Sequence, residues 1–172
     1  ALVMLSALAL ERIEQTQSSS FACDLKKWLQ IMQAYEQGGH AYHATMPSDS
    51  LARFNDVMNE MQAYGFDKVR AEQQALGDRV RAMLTGKGIK SVAAAGFQAP
   101  GVVVSYTDDA DIKNGKKFAE HGLQIAAGVP LQCDEPADFQ TFRIGLFGLE
   151  KLHNIERTVS TLEQALDEVM VS

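Results

Sequence analysis

The sequence is poor in cysteine and has no hydrophobic run long enough to cross a membrane. Its two cysteines, Cys23 and Cys133, make no disulfide framework and fit a reducing cytosol, so we predict a cytoplasmic protein. The apolar opening, residues 1–10, is far too short to span a bilayer. It also lacks the basic leader and the small-residue cleavage site of a signal peptide. We therefore expect no membrane partner.

The sequence also has fewer basic than acidic residues. The 16 lysines and arginines are scattered and are outnumbered by 22 aspartates and glutamates, which gives a net charge of −6. A protein that binds the phosphate backbone of DNA or RNA needs concentrated positive charge, so the composition argues against a nucleic-acid partner. With 46% hydrophobic and 22% charged residues, the 172-residue chain otherwise resembles an ordinary globular protein.

Hydrophobic spacing divides the chain into two regions. Residues 1–64 are predicted to be mostly helical, with a short buried strand through Leu5 followed by a helix that Ser6 caps. Asp24 is predicted to open a second helix, which runs to about Tyr35. In residues 65–172 the predicted order is helix, strand, strand, helix, strand, strand, helix. We therefore predict an α+β fold in which helices cover a small, mostly antiparallel sheet.

Four strands and one short helix of the second region bear on the site. The strands are expected over residues 89–92, 101–106, 123–126 and 141–148, and the short helix over residues 111–121. The first two strands follow the glycines that end a long helix, where the apolar period changes from that of a helix to that of a strand.

The last predicted strand alternates apolar and other side chains with a period of two. Phe142, Ile144 and Leu146 share one side and are expected to hold the strand against a core. Arg143 must then project from the opposite side, beside Gly145, which has no side chain to block an approaching ligand. An arginine fixed on a strand is suited to bind a carboxylate through two parallel hydrogen bonds. The alternative is an ordinary ion pair with an acidic neighbour.

Two hydroxyl groups precede a predicted helix in the first region. Tyr42 and Thr45 come just before the helix announced by Pro47 and Ser48. Free N–H groups and the helix dipole favour an anion at such a place, so the pair predicts a phosphate site. The alternative is that the tyrosine packs and the threonine caps the helix.

Other reactive side chains give weaker signals. His40 and His43 are three residues apart but have no convincing third ligand, so we expect no metal site. Cys133 lies in a loop ten residues before Arg143, where a nucleophilic role is conceivable. No histidine is placed by the sequence to activate that thiol, and a bystander cysteine is the simpler interpretation.

Three segments, read together, resemble the C-terminal part of the class V, fold-type-I aminotransferases that use pyridoxal phosphate, near the alanine/serine–glyoxylate branch. The segments are Asp24-Leu25-Lys26-Lys27-Trp28-Leu29, Ala41-Tyr42-His43-Ala44-Thr45-Met46-Pro47 and Phe142-Arg143-Ile144-Gly145-Leu146-Phe147-Gly148. Their order and spacing resemble that family too, and the similarity covers nearly the whole chain.

The resemblance implies a role for each candidate residue. Arg143 would bind the α-carboxylate of the substrate, while Tyr42 and Thr45 would reach the phosphate of the cofactor, pyridoxal 5'-phosphate, in the other subunit of a homodimer. The reaction would move an amino group between a small amino acid and a 2-oxo acid such as glyoxylate or pyruvate. Residues 1–64 would be the end of the large cofactor-binding domain, and residues 65–172 the small domain.

The chain departs from the family because none of its lysines stands in the context of the lysine that holds the cofactor as a Schiff base. We therefore expect a C-terminal portion of a longer enzyme, with no catalytic residue of its own and inactive alone. Two alternatives remain open. One is a cysteine desulfurase or selenocysteine lyase of the same fold, which would use Cys133. The other is a non-catalytic α+β domain that binds a small ligand or a partner.

Overall fold

The structure is a computed structural model that describes residues 2–171, and it divides into two compact units. The first unit ends at Phe54 and the second begins at Asn55, so the division falls within one helix. That helix ends at Tyr64, next to the predicted boundary between residues 64 and 65, where Gly65 has a φ of +102°. None of the helices within residues 2–171 is long and apolar enough to cross a bilayer.

The N-terminal unit is helical, as expected from the sequence. It contains α1 (Ala7–Glu14), α2 (Leu25–Glu36) and the first turns of α3 (Ser48–Tyr64). The Ser6 side chain accepts a hydrogen bond from the backbone N–H of Ala9, and the Asp24 carboxylate accepts one from Lys27. These contacts satisfy N–H groups that have no partner within the helix. Both predicted helix starts are confirmed.

The prediction of a strand before α1 is wrong for the residues that the structure describes. Residues 2–5 form neither helix nor strand, and the side chains of Leu2 and Met4 are 69% and 92% exposed. A strand needs a partner for its backbone groups, and no described strand pairs with this segment. Ala1, the first residue of the prediction, lies outside the described part of the chain.

The C-terminal unit places helices around a three-stranded antiparallel sheet with the order β1-β3-β2. Its elements after α3 are α4 (Phe66–Gly86), β1 (Val102–Tyr106), α5 (Ala110–Lys113), α6 (Lys116–Glu120), β2 (Ala126–Ala127), β3 (Thr141–Gly145), α7 (Leu149–Leu152) and α8 (Ile155–Val171). The α+β class and the small antiparallel sheet are confirmed. The strand that carries Arg143 is the central one.

One hydrophobic core holds this unit together. Its members are Leu76, Val80, Leu84, Val103, Phe118, Phe142, Ile144, Leu146, Leu149, Leu152, Val159, Leu162, Leu166 and Val169. The predicted alternation in β3 is confirmed, because Phe142, Ile144 and Leu146 are 1%, 5% and 2% exposed. Full burial of side chains of this size contributes about 1.5–3 kcal/mol each, so the core side of β3 is firmly anchored.

Four predicted elements of this unit differ in detail. The strand expected over residues 89–92 is reduced to an isolated bridge between Ser91 and Ser105, on the outer edge of β1. The strand expected over residues 123–126 begins only at Ala126, and the strand expected over residues 141–148 ends at Gly145. The helix expected over residues 111–121 is two short helices, because Gly115 takes a left-handed φ of +82° between them. Such a conformation suits glycine and ends a right-handed helix.

Candidate functional site

Arg143 projects from the face of the sheet opposite the core. Its partners in register are Val104 on β1 and Ala126 on β2. Residues directly opposite each other in antiparallel strands point to the same face, so two small apolar side chains flank the arginine. The arginine is therefore set in apolar surroundings at the middle of the sheet.

Phe147 covers part of the space beside Arg143 that the sequence left open. A Cβ atom built on Gly101 would lie 2.5 Å from Cε1 of Phe147, so this ring rests directly on the Gly101 backbone. At Gly145, a Cβ would lie 3.8 Å from the same ring, which is ordinary van der Waals contact. Phe147 itself is 62% exposed. Because Gly101 and Gly145 have no side chains, the Phe147 ring can lie at one end of the sheet face that carries Arg143.

The hydrogen bonding of Arg143 leaves its terminal nitrogens available. Its Nε donates to the backbone oxygen of Ala127 at 2.9 Å. No ion pair of Arg143 is found among the described residues, so the interpretation as an ordinary ion pair has no support there. Within residues 2–171, neither Nη atom has a hydrogen-bond partner. A positive, half-buried group with two free donor atoms is suited to bind an anion.

The Tyr42 and Thr45 hydroxyl groups lie side by side. Their oxygen atoms are 3.4 Å apart, and α3 begins three residues after Thr45, at Ser48. Both side chains are exposed, Tyr42 by 78%. The interpretation in which the tyrosine packs into the protein is therefore wrong within this unit. The structure brings together the two hydroxyls that the sequence singled out, next to a helix N-terminus.

His43 holds this loop in place, a role that no pattern in the sequence predicts. Its Nε2 lies 2.9 Å from the backbone oxygen of Phe21. Its ring lies 4.2 Å from the Phe21 ring and 5.1 Å from the Trp28 ring, between centroids. Histidine here acts as a packing residue. No group of three potential metal ligands occurs in the described part of the chain.

Cys133 lies in a loop organised by a carboxylate. Glu135 accepts hydrogen bonds from the backbone N–H groups of Cys133 and Gln132, both at 2.8 Å. These bonds, that of Cys133 first, lower the pKa of Glu135 to about 2. The Cys133 side chain is exposed, and its thiol has no hydrogen-bond partner within residues 2–171. Among the described residues, no base contacts the thiol to activate it.

A polar stripe on α4 fixes the segment that leads into β1. Arg81 donates through Nη2 to the backbone oxygens of Ala99 and Val102, at 2.6 and 3.0 Å. Its Nε and Nη1 are buried without a partner within the described residues, and burial lowers the pKa of this guanidinium. The opposing effect of the Asp78 charge is smaller. The arginine thus anchors the start of β1.

Gln73, two turns earlier on α4, bridges the segment before β1 and the end of β3, which lie at the same end of this antiparallel pair. Its Nε2 donates to the backbone oxygens of Pro100 and Leu146, at 3.1 and 3.2 Å. Between Gln73 and Arg81, Gly77 lets the Pro100 backbone approach so closely that a Cβ would lie 2.7 Å from the Pro100 oxygen. Gln73, Gly77 and Arg81 are four residues apart, and this spacing in the sequence places them on one face of a helix. The backbone atoms that they contact are distant in sequence, so the contacts themselves could not be predicted.

A cavity of about 540 Å³ lies in the C-terminal unit. Its lining is largely apolar, with Lys90 and Asp108 as its charged members. The complete lining is Gly88, Ile89, Lys90, Tyr106, Thr107, Asp108, Ile112, Phe142, Leu166 and Met170. Arg143 is not among these lining residues.

Comparison with known proteins shows a likeness of structure without a likeness of sequence. No protein-family model and no curated protein sequence matches the chain. The alanine–glyoxylate aminotransferase of a Nostoc species superposes with a TM-score of 0.69 at 15% identity, over 94% of this chain and 42% of that one. The ureidoglycine–glyoxylate aminotransferase of Bacillus subtilis gives a TM-score of 0.66 at 15% identity, over 93% of this chain and 39% of that one.

The chain thus spans less than half the length of each of these two proteins. Identity of 15% carries information about fold alone. The helices and the small three-stranded antiparallel sheet match one part of the aminotransferase structures. We conclude that this chain has the fold of the C-terminal part of an aminotransferase.

Proposed function

We propose that the chain is the C-terminal part of a class V aminotransferase that uses pyridoxal 5'-phosphate. The parent protein would transfer an amino group from a small amino acid, such as alanine or serine, to a 2-oxo acid, such as glyoxylate or pyruvate. One observation carries the proposal: Arg143, on the central strand, has its Nε held and both Nη atoms free within the described residues. The likeness to two glyoxylate aminotransferases supports the same reaction class.

Arg143 would bind the α-carboxylate common to amino acids and 2-oxo acids. Two charge-assisted hydrogen bonds to a carboxylate are each worth about 1.5–3 kcal/mol, more than neutral ones. The flanking side chains of Val104 and Ala126 have no hydrogen-bond acceptor that would compete for the guanidinium. Binding of the carboxylate at a fixed point orients the rest of the substrate, which is how a positioning group accelerates a reaction.

Tyr42 and Thr45 would bind the cofactor phosphate. Two adjacent, exposed hydroxyls can both donate to phosphate oxygens, and the N–H groups and dipole of α3 favour the same charge. The residues present therefore fit the phosphate end of the cofactor. In the proposed homodimer they would serve the cofactor of the partner subunit. When bound, the cofactor would supply an electron sink for the charge that develops at the substrate α-carbon.

In this proposal, the remaining steps would be carried out by residues other than those of this chain. We assign no lysine of the chain to the Schiff base and no residue to proton transfer. In this proposal residues 1–64 end the large cofactor-binding domain and residues 65–172 form the small domain of a cytoplasmic homodimer. The chain alone would bind and position but would not catalyse.

Substitution of Arg143 in the full-length protein tests the proposal. Arg143→Lys keeps the charge but loses the paired donors, so we expect the KM of the amino acid to rise at least about tenfold, with cofactor affinity nearly unchanged. Arg143→Ala should raise it further. Arg157→Lys, on the exposed side of α8, is the matched control and should leave KM unchanged. Equal kinetics for Arg143→Ala and the wild type would refute the assignment.

A further inference from the structure

We propose that the backbone carbonyl of Ala127 sets the orientation of the Arg143 guanidinium, so that a carboxylate binds across its Nη1 and Nη2 atoms. We also propose that Gly128 is the positioning residue that keeps this carbonyl in place. This inference rests on the proposed carboxylate-binding function of Arg143. It specifies which edge of the guanidinium binds the substrate, and which residue determines the choice of edge.

A guanidinium can hold a carboxylate by two different edges. It has five N–H donors: one on Nε and two on each Nη. A bidentate pair uses either Nε with its neighbouring Nη, or the two Nη atoms together. In Arg143 the Nε atom lies 2.9 Å from the Ala127 oxygen, so its single hydrogen is already used. The carbonyl oxygen also repels a carboxylate from that edge, which leaves the pair of Nη atoms.

The Ala127 carbonyl belongs to a very short strand that needs support from both sides. β2 has only two residues, and its pairing places Ala127 opposite Phe142. The next residue, Gly128, donates its backbone N–H to the oxygen of Lys113, the last residue of α5, at 3.1 Å. The carbonyl is therefore fixed between β3 and α5.

Gly128 makes this arrangement possible because its backbone lies against β3. A Cβ atom on Gly128 would lie 1.7 Å from the backbone oxygen of Thr141, which no side chain can accept. Its φ is not in the left-handed region, so the requirement for glycine is one of space. Any larger residue must push β2 away from β3 and carry the Ala127 carbonyl with it.

Gly128→Ala in the full-length protein tests the positioning role. We expect the KM of the amino acid to rise about tenfold, with kcat reduced less and cofactor affinity unchanged, because one orienting hydrogen bond is lost. Gly86→Ala is the matched control, since a Cβ there meets nothing within 4 Å. A folded Gly128→Ala protein with wild-type KM would overturn the proposal.

Nitrogen NMR of the wild-type full-length protein, with labelled arginine, tests the binding edge without a mutation at Gly128. The Arg143 signals are identified by their loss in Arg143→Lys, and propionate serves as an unreactive carboxylate. We expect the Nε hydrogen of Arg143 to exchange slowly with water and the Nη signals to move on titration. Coupled movement of Nε and one Nη would overturn the proposal. No response at any Arg143 nitrogen would instead refute carboxylate binding, and this inference with it.

Discussion

The Nε2 atom of His43 lies 2.9 Å from the backbone oxygen of Phe21, and the two aromatic rings are 4.2 Å apart. This contact joins the loop before α3 to the segment before α2. Tyr42 and Thr45 stand on either side of the histidine in sequence, so their hydroxyls are presented from a loop that has one firm point of attachment. Residues that make no contact with a phosphate can therefore affect its binding.

We expect His43→Ala to weaken cofactor binding about tenfold in the full-length protein, although Tyr42 and Thr45 remain. Loss of one hydrogen bond and of aromatic packing frees the loop, and ordering it again on binding costs free energy. Titration with pyridoxal phosphate, followed by absorbance, measures the effect. His40→Ala, in the same loop and exposed, is the control. Equal affinities for the two variants would contradict the anchoring role of His43.

The lowered pKa of Glu135 predicts that the stability of the Cys133 loop depends on pH. Because its pKa is lowered from 4.5 to about 2, the folded loop gains stability from the carboxylate at pH values above 4.5. That contribution falls as the pH drops from 4.5 and is absent below about 2. The protection factor of the Cys133 amide, which compares its exchange rate with that of an unstructured chain at the same pH, should therefore fall across this range. In Glu135→Gln the protection factor should be low already at pH 5, and a protected amide there would exclude the carboxylate as the cause.

Substitution of Gly77 by alanine distinguishes the effect of packing on stability from the effect of helix propensity. Alanine is favoured over glycine by about 1 kcal/mol inside a helix. Gly77→Ala nevertheless should destabilise the C-terminal unit by about 1–3 kcal/mol, because its Cβ would overlap the Pro100 oxygen. Urea denaturation measures this difference. Gly86→Ala, at the open end of the same helix, should be neutral or stabilising, and a similar loss in both variants would argue against the contact with Pro100.

Cys133 distinguishes the proposed transfer reaction from desulfuration. If the parent protein is an aminotransferase, Cys133→Ser should leave transamination unchanged, since the exposed thiol has no partner within the described residues. A desulfurase requires the thiol as nucleophile and would lose sulfide release from cysteine. The two assays on one variant separate the hypotheses. Loss of sulfide release would support the desulfurase.

Local patterns in the sequence were sufficient for several elements. The alternation around Arg143 predicts both the strand and its buried side, because burial on one face imposes a period of two. Ser6 and Asp24 predict helix starts because a cap acts within three residues. In each of these cases the interacting groups are close together in sequence.

Other features depend on partners that are distant in sequence. The Ala127 oxygen that holds Arg143 is 16 residues away, and Gln73 reaches the Leu146 oxygen across 73 residues. The break at Gly115 and the short β2 strand likewise follow from packing that no local pattern specifies. Sequence could identify the side chains of the candidate site, whereas their orientation required the fold.

The order of the strands in space has a consequence for the growing polypeptide on the ribosome. β3, the last strand to be synthesised, lies between β1 and β2 and is the one strand that pairs with both of them in the described sheet. The edges of β1 and β2 that face β3 therefore stay unpaired until translation passes residue 145. If the ribosome stalls before that point, backbone donors and acceptors of the nascent chain stay exposed. Chaperones or proteases would then bind them.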